Sequence, residues 1–216
     1  MTRDAFHHEL DELEEAVVQM ATLVEAAIAN AVQALIQRDV NLAQQVINND
    51  ALINEQQRAV RNKTFGVIAR QAPVARDLRE LVTIQLVINE LERMGDHAAG
   101  IAHNAIRLSS QPPVKAVVDL PEMAKLIRQQ VRDAIQSFVD VNVVGAREIC
   151  SRDDEVDHLY RQIFDELLSS MHDSDNVPQA TSLLFVAHDL ERIGDRVTNI
   201  CEDLIYMVTG EIEELN

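Results

Sequence analysis

Cysteine, glycine, proline and aromatic residues are all scarce in this chain of 216 residues, which holds two Cys, six Gly, five Pro, no Trp and 3% aromatics. Cys150 and Cys201 are too few for a disulfide framework and read as reduced thiols. Neither has the spacing of a zinc site. So few turn formers cannot close the many turns of a sandwich or barrel, which leaves long helices with few connections. No run of 18 apolar residues is present, and the opening Met-Thr-Arg-Asp-Ala-Phe-His-His carries no apolar signal segment. The expectation is a cytoplasmic protein that meets a membrane only indirectly, through partners. Basic residues are short as well: 19 Lys and Arg stand against 36 Asp and Glu, a formal net charge of −17. A nucleic-acid backbone would be repelled, whereas cations and basic protein surfaces would be drawn in. A Gly-rich phosphate loop and a recognisable Ser or Cys nucleophile are also missing.

What is present is helical period. Leu10, Leu13, Val17, Met20, Val24, Ala27, Ala31 and Leu35 step by three and four, predicting a first helix over about 6–37. Asp39 and Asn41 are candidate caps for a second, about 40–71. Pro73 marks a turn, and a third helix runs from Val74 to Leu108 with a middle (Val82, Ile84, Leu86, Val87, Ile88, Leu91) apolar on more than one face. Ser109 to Pro121, with its Ser-Ser-Gln-Pro-Pro, breaks the pattern. Three further helices are predicted over about 120–145, 146–172 and 177–209. Met123, Ile127, Val131, Ile135 and Phe138 form the stripe of the fourth, and Val156, Leu159, Ile163 and Leu167 that of the fifth. Asp-Ser-Asp-Asn at 173–176 with Pro178 forms the last turn.

The chain is an internal duplication. Shifted by 99 residues, 83–108 overlays 182–207 without a gap and eight of 26 positions are identical, among them Leu91/Leu190, Glu92/Glu191, Arg93/Arg192, Gly95/Gly194, Asp96/Asp195 and Ile101/Ile200. Shifted by 103, the second helix overlays the fifth, Ala43 on Ala146 and Asp50 on Asp153. The expected fold is all-α: two tandem three-helix bundles, six long helices related by a pseudo-twofold axis. Repeats over 5–111 and 118–210 would share one core as a single unit.

Each repeat carries two oxygen-rich pairs at i, i+4, a spacing that stacks them on one helix face. They are Asp50/Asn54 with Glu92/Asp96, and Asp153/Asp157 with Glu191/Asp195. The first two pairs lie equidistant from Pro73 and the second two from residue 174, so each antiparallel hairpin should bring its pairs to one level. Converging carboxylates repel by up to ~4 kcal/mol per close pair at an effective dielectric of ~20. A divalent cation would relieve this, because the ligands on offer are hard oxygens, and two pairs could hold more than one bridged ion. Asn199 and Glu202 extend the Glu191/Asp195 face, where the first half has Gly100 and His103, so the two sites need not be equivalent. The alternative is a solvated acidic face relieved by Arg93, Arg192 and water. Glu155-Val-Asp-His158 matches the Glu-x-x-His of ferritin-like bundles but lacks the second copy that design needs. His97 and His188 neighbour the acidic motifs as possible outer groups, and His7 and His8 read as an exposed pair. Gly95 and Gly194, mid-helix, point to close helix packing or room for a ligand.

The duplicated Glu-Arg-Met/Ile-Gly-Asp motif, Asp-Asp-Glu-Val-Asp at 153–157, Pro-Val-Ala-Arg-Asp-Leu-Arg at 73–79 and Ile-Tyr-Met-Val-Thr-Gly-Glu near the end resemble the PhoU family of phosphate-specific transport system accessory proteins over essentially the whole chain. That resemblance implies two three-helix bundles, commonly as a homodimer. It implies a non-enzymatic, cytoplasmic negative regulator of the phosphate regulon that also limits phosphate uptake. Such a protein would link the ATPase of the phosphate ABC transporter to a phosphate-sensing histidine kinase. It further implies metal clusters on Glu/Asp-x-x-x-Asp motifs, here Glu92, Asp96, Asp153, Asp157, Glu191 and Asp195, with Mg, Mn, Fe or Zn all compatible. Asp50-x-x-x-Asn54 departs by ending in Asn, whose neutral oxygen would weaken a first-half site. Two other functions stay open on the residues alone: a metal-dependent phosphoester hydrolase, disfavoured if three-helix packing leaves only a shallow convex surface, and a purely structural bundle.

Overall fold

The computed structural model describes residues 3–111 and 119–215. The expected breaker Pro112-Pro113 and the expected start of the second repeat at residue 118 lie outside the described residues. The helices are α1 (Arg3–Gln37), α2 (Val40–Gln71), α3 (Ala75–Leu108), α4 (Leu120–Val139), α5 (Val143–Cys150), α6 (Asp153–Ser170) and α7 (Val177–Thr209). The architecture is the expected all-α pair of three-helix bundles: α1, α2 and α3 pack mutually, and α4 and α7 pack with the α5–α6 segment. The bundles join along α3 against α7, the most extensive helix contact, and along α1 against α4.

Side-chain caps set the turns. Arg38 is left-handed (φ 58), the Asp39 N–H closes back on Ala34 O at 3.0 Å, and the Asp39 carboxylate accepts from the N–H groups of Asn41 and Leu42. Asp39 is therefore the cap, and Asn41 lies inside α2. At the α2–α3 turn Ala72 is left-handed beside Pro73. At the last turn Asp173 accepts from the Asp175 N–H ahead of a 3-10 turn, Ser174–Asn176.

The fourth and fifth helices differ from expectation. α4 stops at Val139, six residues early, and Asn142 caps α5 by accepting from the Gly145 N–H at 3.0 Å. Asn142 stands 103 residues after Asp39, so the duplication repeats its own cap. The predicted 146–172 helix is also split at Ser151–Arg152. The break is held from α4: Gln130 Nε2 donates to the Arg152 carbonyl at 3.1 Å, and the Arg152 guanidinium pairs with Asp133 at 2.8 Å. These partners satisfy backbone that an unbroken helix would have used.

Leu13, Val17, Met20, Val24 and Ile28 of α1 are fully buried, as are Ile84, Ile88, Leu91 and Met94 of α3 and Leu190, Ile193 and Ile200 of α7. One hydrophobic cluster draws on all seven helices. α1 is long and apolar enough over Ala5–Gln37 to cross a membrane by composition, yet its apolar stripe is the core stripe. Val82 and Leu86, expected on a second buried face of α3, are exposed instead at 38% and 36%, in line with Leu78.

Two substitutions test the first turn. Arg38→Gly should raise stability in urea by about 0.5–1 kcal/mol, because an exposed non-glycine residue there bears the left-handed steric cost. Asp39→Ala should lower it by about 1 kcal/mol through loss of the cap.

Candidate metal centres

Each expected set of acidic residues is brought together, and a glycine makes the meeting possible. A Cβ on Gly95 would lie 3.3 Å from Asp50 Oδ1 and 3.0 Å from Ile53 Cδ1. A Cβ on Gly194 would lie 3.3 Å from Asp153 Oδ1 and 3.5 Å from Val156 Cγ1. Asp50/Asp153 and Ile53/Val156 are the same positions under the 103-residue shift. Close helix packing is thus the role of both glycines, and what packs against each is a carboxylate.

In the first half, burial and then the Asp96 charge push Asp50 above the ordinary carboxylate range, opposed by a 2.7 Å hydrogen bond donated by Asn54. Glu92 is raised by burial, then by Asp96 and Asp50. Asp96 itself is exposed. In the second half the same group is deeper and more charged. Asp153 is pushed up to about 6 by burial, then by Asp157, Asp195, Glu191 and Asp154. Glu191 is raised by burial and then Asp195, eased by His188 and Arg192. These residues line an open cleft of about 530 Å³ with Cys150, Asn199 and Leu215. Asp157, where the first half has Asn54, is what adds the fourth carboxylate.

The donor set fits a hard divalent cation. It is all oxygen, and each half holds a buried oxygen with no hydrogen bond, Asp50 Oδ1 and Glu191 Oε2, the latter 3.5 Å from His188 Nδ1. As the side chains stand, no three His, Cys, Asp or Glu among the described residues close on one point. Their present partners explain the spread: Asn54 holds Asp50, Arg192 is bonded to Asp195, and Arg161 approaches Asp157 at 3.9 Å. An ion would draw the carboxylates off these partners.

Glu202 does not join them; one of its oxygens accepts from the Leu215 N–H at 2.7 Å as the C-terminal tail folds back. Glu155 and His158 are exposed. Sequence reasoning missed a second duplicated pair, Glu90 and Asp189, at the α3–α7 seam. Glu90 accepts from Arg196 and Asn199, at 3.3 and 3.1 Å. Asp189 meets His97 Nδ1 at 3.0 Å and lies over Gly100, whose added Cβ would be 2.8 Å from Asp189 Oδ2. The 99-residue shift relates Glu90 to Asp189, His97 to Arg196 and Gly100 to Asn199. The signal was in the alignment, as an acidic pair rather than an identity. Asn199, expected on the acidic face, serves this seam as well as the cleft.

The raised Asp153 has a stability consequence. From its ordinary value of 3.8 up to about 6 the folded chain holds more protons than the unfolded, so stability falls as pH rises through that window and the cost stays constant above it. In metal-free buffer Asp153→Asn should therefore be more stable than wild type at pH 7.5 by about 1 kcal/mol, a value reduced for solvent screening of a half-exposed group. The gain should shrink toward zero near pH 4, as read from urea unfolding across pH.

With this geometry established, likeness to known proteins places the chain. The PhoU domain pattern matches residues 17–105 and 120–204, one copy in each repeat. The chain is 40% identical over 218 residues to the phosphate-specific transport system accessory protein PhoU homolog of Clostridium acetobutylicum, covering 100% of both. It is 38% identical to the homolog of Aquifex aeolicus, covering 94% of this chain and 93% of that one. The crystal structure of the phosphate transport system regulatory protein PhoU from Streptococcus pneumoniae superposes with a TM-score of 0.91 at 32% identity, over 97% of this chain and 99% of that one. PhoU from Pseudomonas aeruginosa gives the same TM-score and identity over 95% and 100%. The duplicated acidic pentamers sit within both matched segments, and the chain belongs to the PhoU family.

Proposed function

We propose that this protein is a negative regulator of phosphate uptake and of the phosphate regulon, acting as a cation-binding adaptor without catalysis. The observation that carries this reading is the end-to-end match, both repeats included, to proteins named as accessory to phosphate-specific transport. Its partners would be the ATPase of the phosphate ABC transporter and a phosphate-sensing histidine kinase, so that it meets the membrane from the cytoplasm and only through them. A net charge of −17 suits docking to basic patches on such partners. The repeats, 5–111 and 118–210, would act as one unit, and the exposed stripe of Leu78, Val82 and Leu86 would suit a second copy in a homodimer.

The cations would be held by Asp50, Glu92 and Asp96 with Asn54 in the first half, and by Asp153, Asp157, Glu191 and Asp195 in the second. Oxygen ligands suit Mg or Mn, and Fe or Zn are compatible. Bound ions would cancel the repulsion between the facing pairs and fix the α2–α3 and α6–α7 hairpins in register. Glu202 would serve the tail rather than an ion.

One observation favours a second reading. The acidic cleft is concave, so the expected convex surface does not argue against metal-dependent phosphoester hydrolysis. The adaptor reading predicts that Mn(II)-loaded protein turns over no phosphomonoester or phosphodiester in a substrate panel; metal-dependent turnover, abolished by Asp195→Asn, would favour hydrolysis.

The central test is genetic. In a strain lacking the gene and grown with abundant phosphate, a phosphate-regulon reporter should rise several-fold and return to its low level with the wild-type gene. An unchanged low reporter in that strain, with every paralogue also removed, would overturn the regulatory reading.

A further inference from the structure

The chain's two cysteines meet. Cys150 is the last residue of α5 and Cys201 lies mid-way along α7; both are free and buried, at 8% and 1% exposure. Their thiols are hydrogen-bond partners of each other. Cys150 is also part of the wall of the acidic cleft, so a small solute entering the cleft reaches its sulfur while Cys201 stays behind it. The chain has no other cysteine, so neither thiol has a competing partner within the molecule. The Ser151–Arg152 break that follows Cys150 supplies backbone slack at the end of α5, and bridging two thiols requires such local adjustment.

We infer that Cys150 and Cys201 form a redox site, a dithiol that a peroxide converts to an intramolecular disulfide. Cys150 Sγ, as thiolate, attacks one oxygen of hydrogen peroxide. The O–O bond breaks, giving a sulfenic acid at Cys150 and a hydroxide that leaves as water once protonated. Cys201 Sγ then attacks the sulfenic sulfur, the S–O bond breaks, a second water leaves, and the S–S bond forms. Two thiols lose two protons and two electrons in total, and one peroxide is reduced to two waters. A dithiol reductant reverses the bond by exchange.

The order of roles follows from position: Cys150 meets the oxidant and Cys201 resolves it. The hydrogen bond from Cys201 holds the Cys150 thiol below the ordinary range, whereas Cys201 itself is held well above it by that bond and by burial. Asp153 and Glu202 lie close enough to slow thiolate formation at Cys150, so the response is that of a stress sensor rather than a fast peroxidase. Once formed, the bond ties the end of α5, three residues before Asp153, to α7 beside Glu202.

The full chain, reduced, desalted and kept metal-free at neutral pH, is exposed to equimolar hydrogen peroxide, and free thiols are counted after unfolding. The expected result is a fall from two thiols to none and a mass lower by two hydrogens. A peptide joining residues 150 and 201 should appear in the monomer band and revert with dithiothreitol. Cys201→Ala should stop at a sulfenic acid on Cys150 that dimedone traps, and Cys150→Ala should leave Cys201 unmodified. Two intact thiols, sulfinic acid at Cys150 beside a free Cys201, or disulfides only between chains would each overturn the inference. The readout is chemical and involves no cation, so its failure would leave the adaptor reading untouched.

Discussion

Asp50 against Gly95 and Asp153 against Gly194 are the contacts on which the rest of each hairpin is arranged. A carboxylate of one helix lies on the backbone of the next, directly between the two acids of that helix's pentamer. Any side chain at the glycine would push the helices apart, and the core residues beneath, Ile53 with Met94 and Val156 with Ile193, would lose their fit. The repulsion is thus enforced by packing. Local partners moderate it, Asn54 in one half and Arg192 and Arg161 in the other, but a buried oxygen in each half remains without a hydrogen bond. An energetic cost kept in duplicate, at the same two positions of each repeat, is most simply understood as preparation for a cation.

The halves have diverged around that shared plan. The first offers three carboxylates and an amide, with Asp96 open to solvent; the second offers four carboxylates in a cleft. The seam between bundles has diverged as well. Glu90 has a permanently charged partner in Arg196, whereas Asp189 has His97, with Gly100 making the room that Asn199 fills in the other copy. One fold built twice has therefore produced two sites of unequal charge and two unequal clasps.

Much of this was legible in the sequence. Helices over thirty residues long keep register along their length, so equal distance from Pro73 or from residue 174 was enough to level the acidic pairs. The fourth and fifth helices were less legible because their limits depend on other segments. Ile-Cys-Ser-Arg-Asp-Asp reads as continuous helix, and it breaks because Gln130 and Asp133 on α4 satisfy the broken ends. The Asn142 cap could have been found by applying the 103-residue shift to Asp39. Glu202 was misplaced because a helix-face argument cannot see a tail returning from residue 215. The thiol pair was out of reach for a related reason, since its two members belong to helices whose relative rotation is set by the core.

A cation would act here by replacing many weak local partners with one strong common one. It would draw Asp153 from burial without compensation, Asp195 from Arg192 and Asp157 from solvent, and tie α6 to α7. A titration of the full chain with Mn(II), following free ion by electron paramagnetic resonance, tests this most directly when run beside paired substitutions in each half. The account predicts two classes of uptake, the tighter abolished by Asp153→Asn with Asp195→Asn and the weaker by Asp50→Asn with Asp96→Asn. No uptake by folded wild type, or uptake that survives both pairs together, would contradict it.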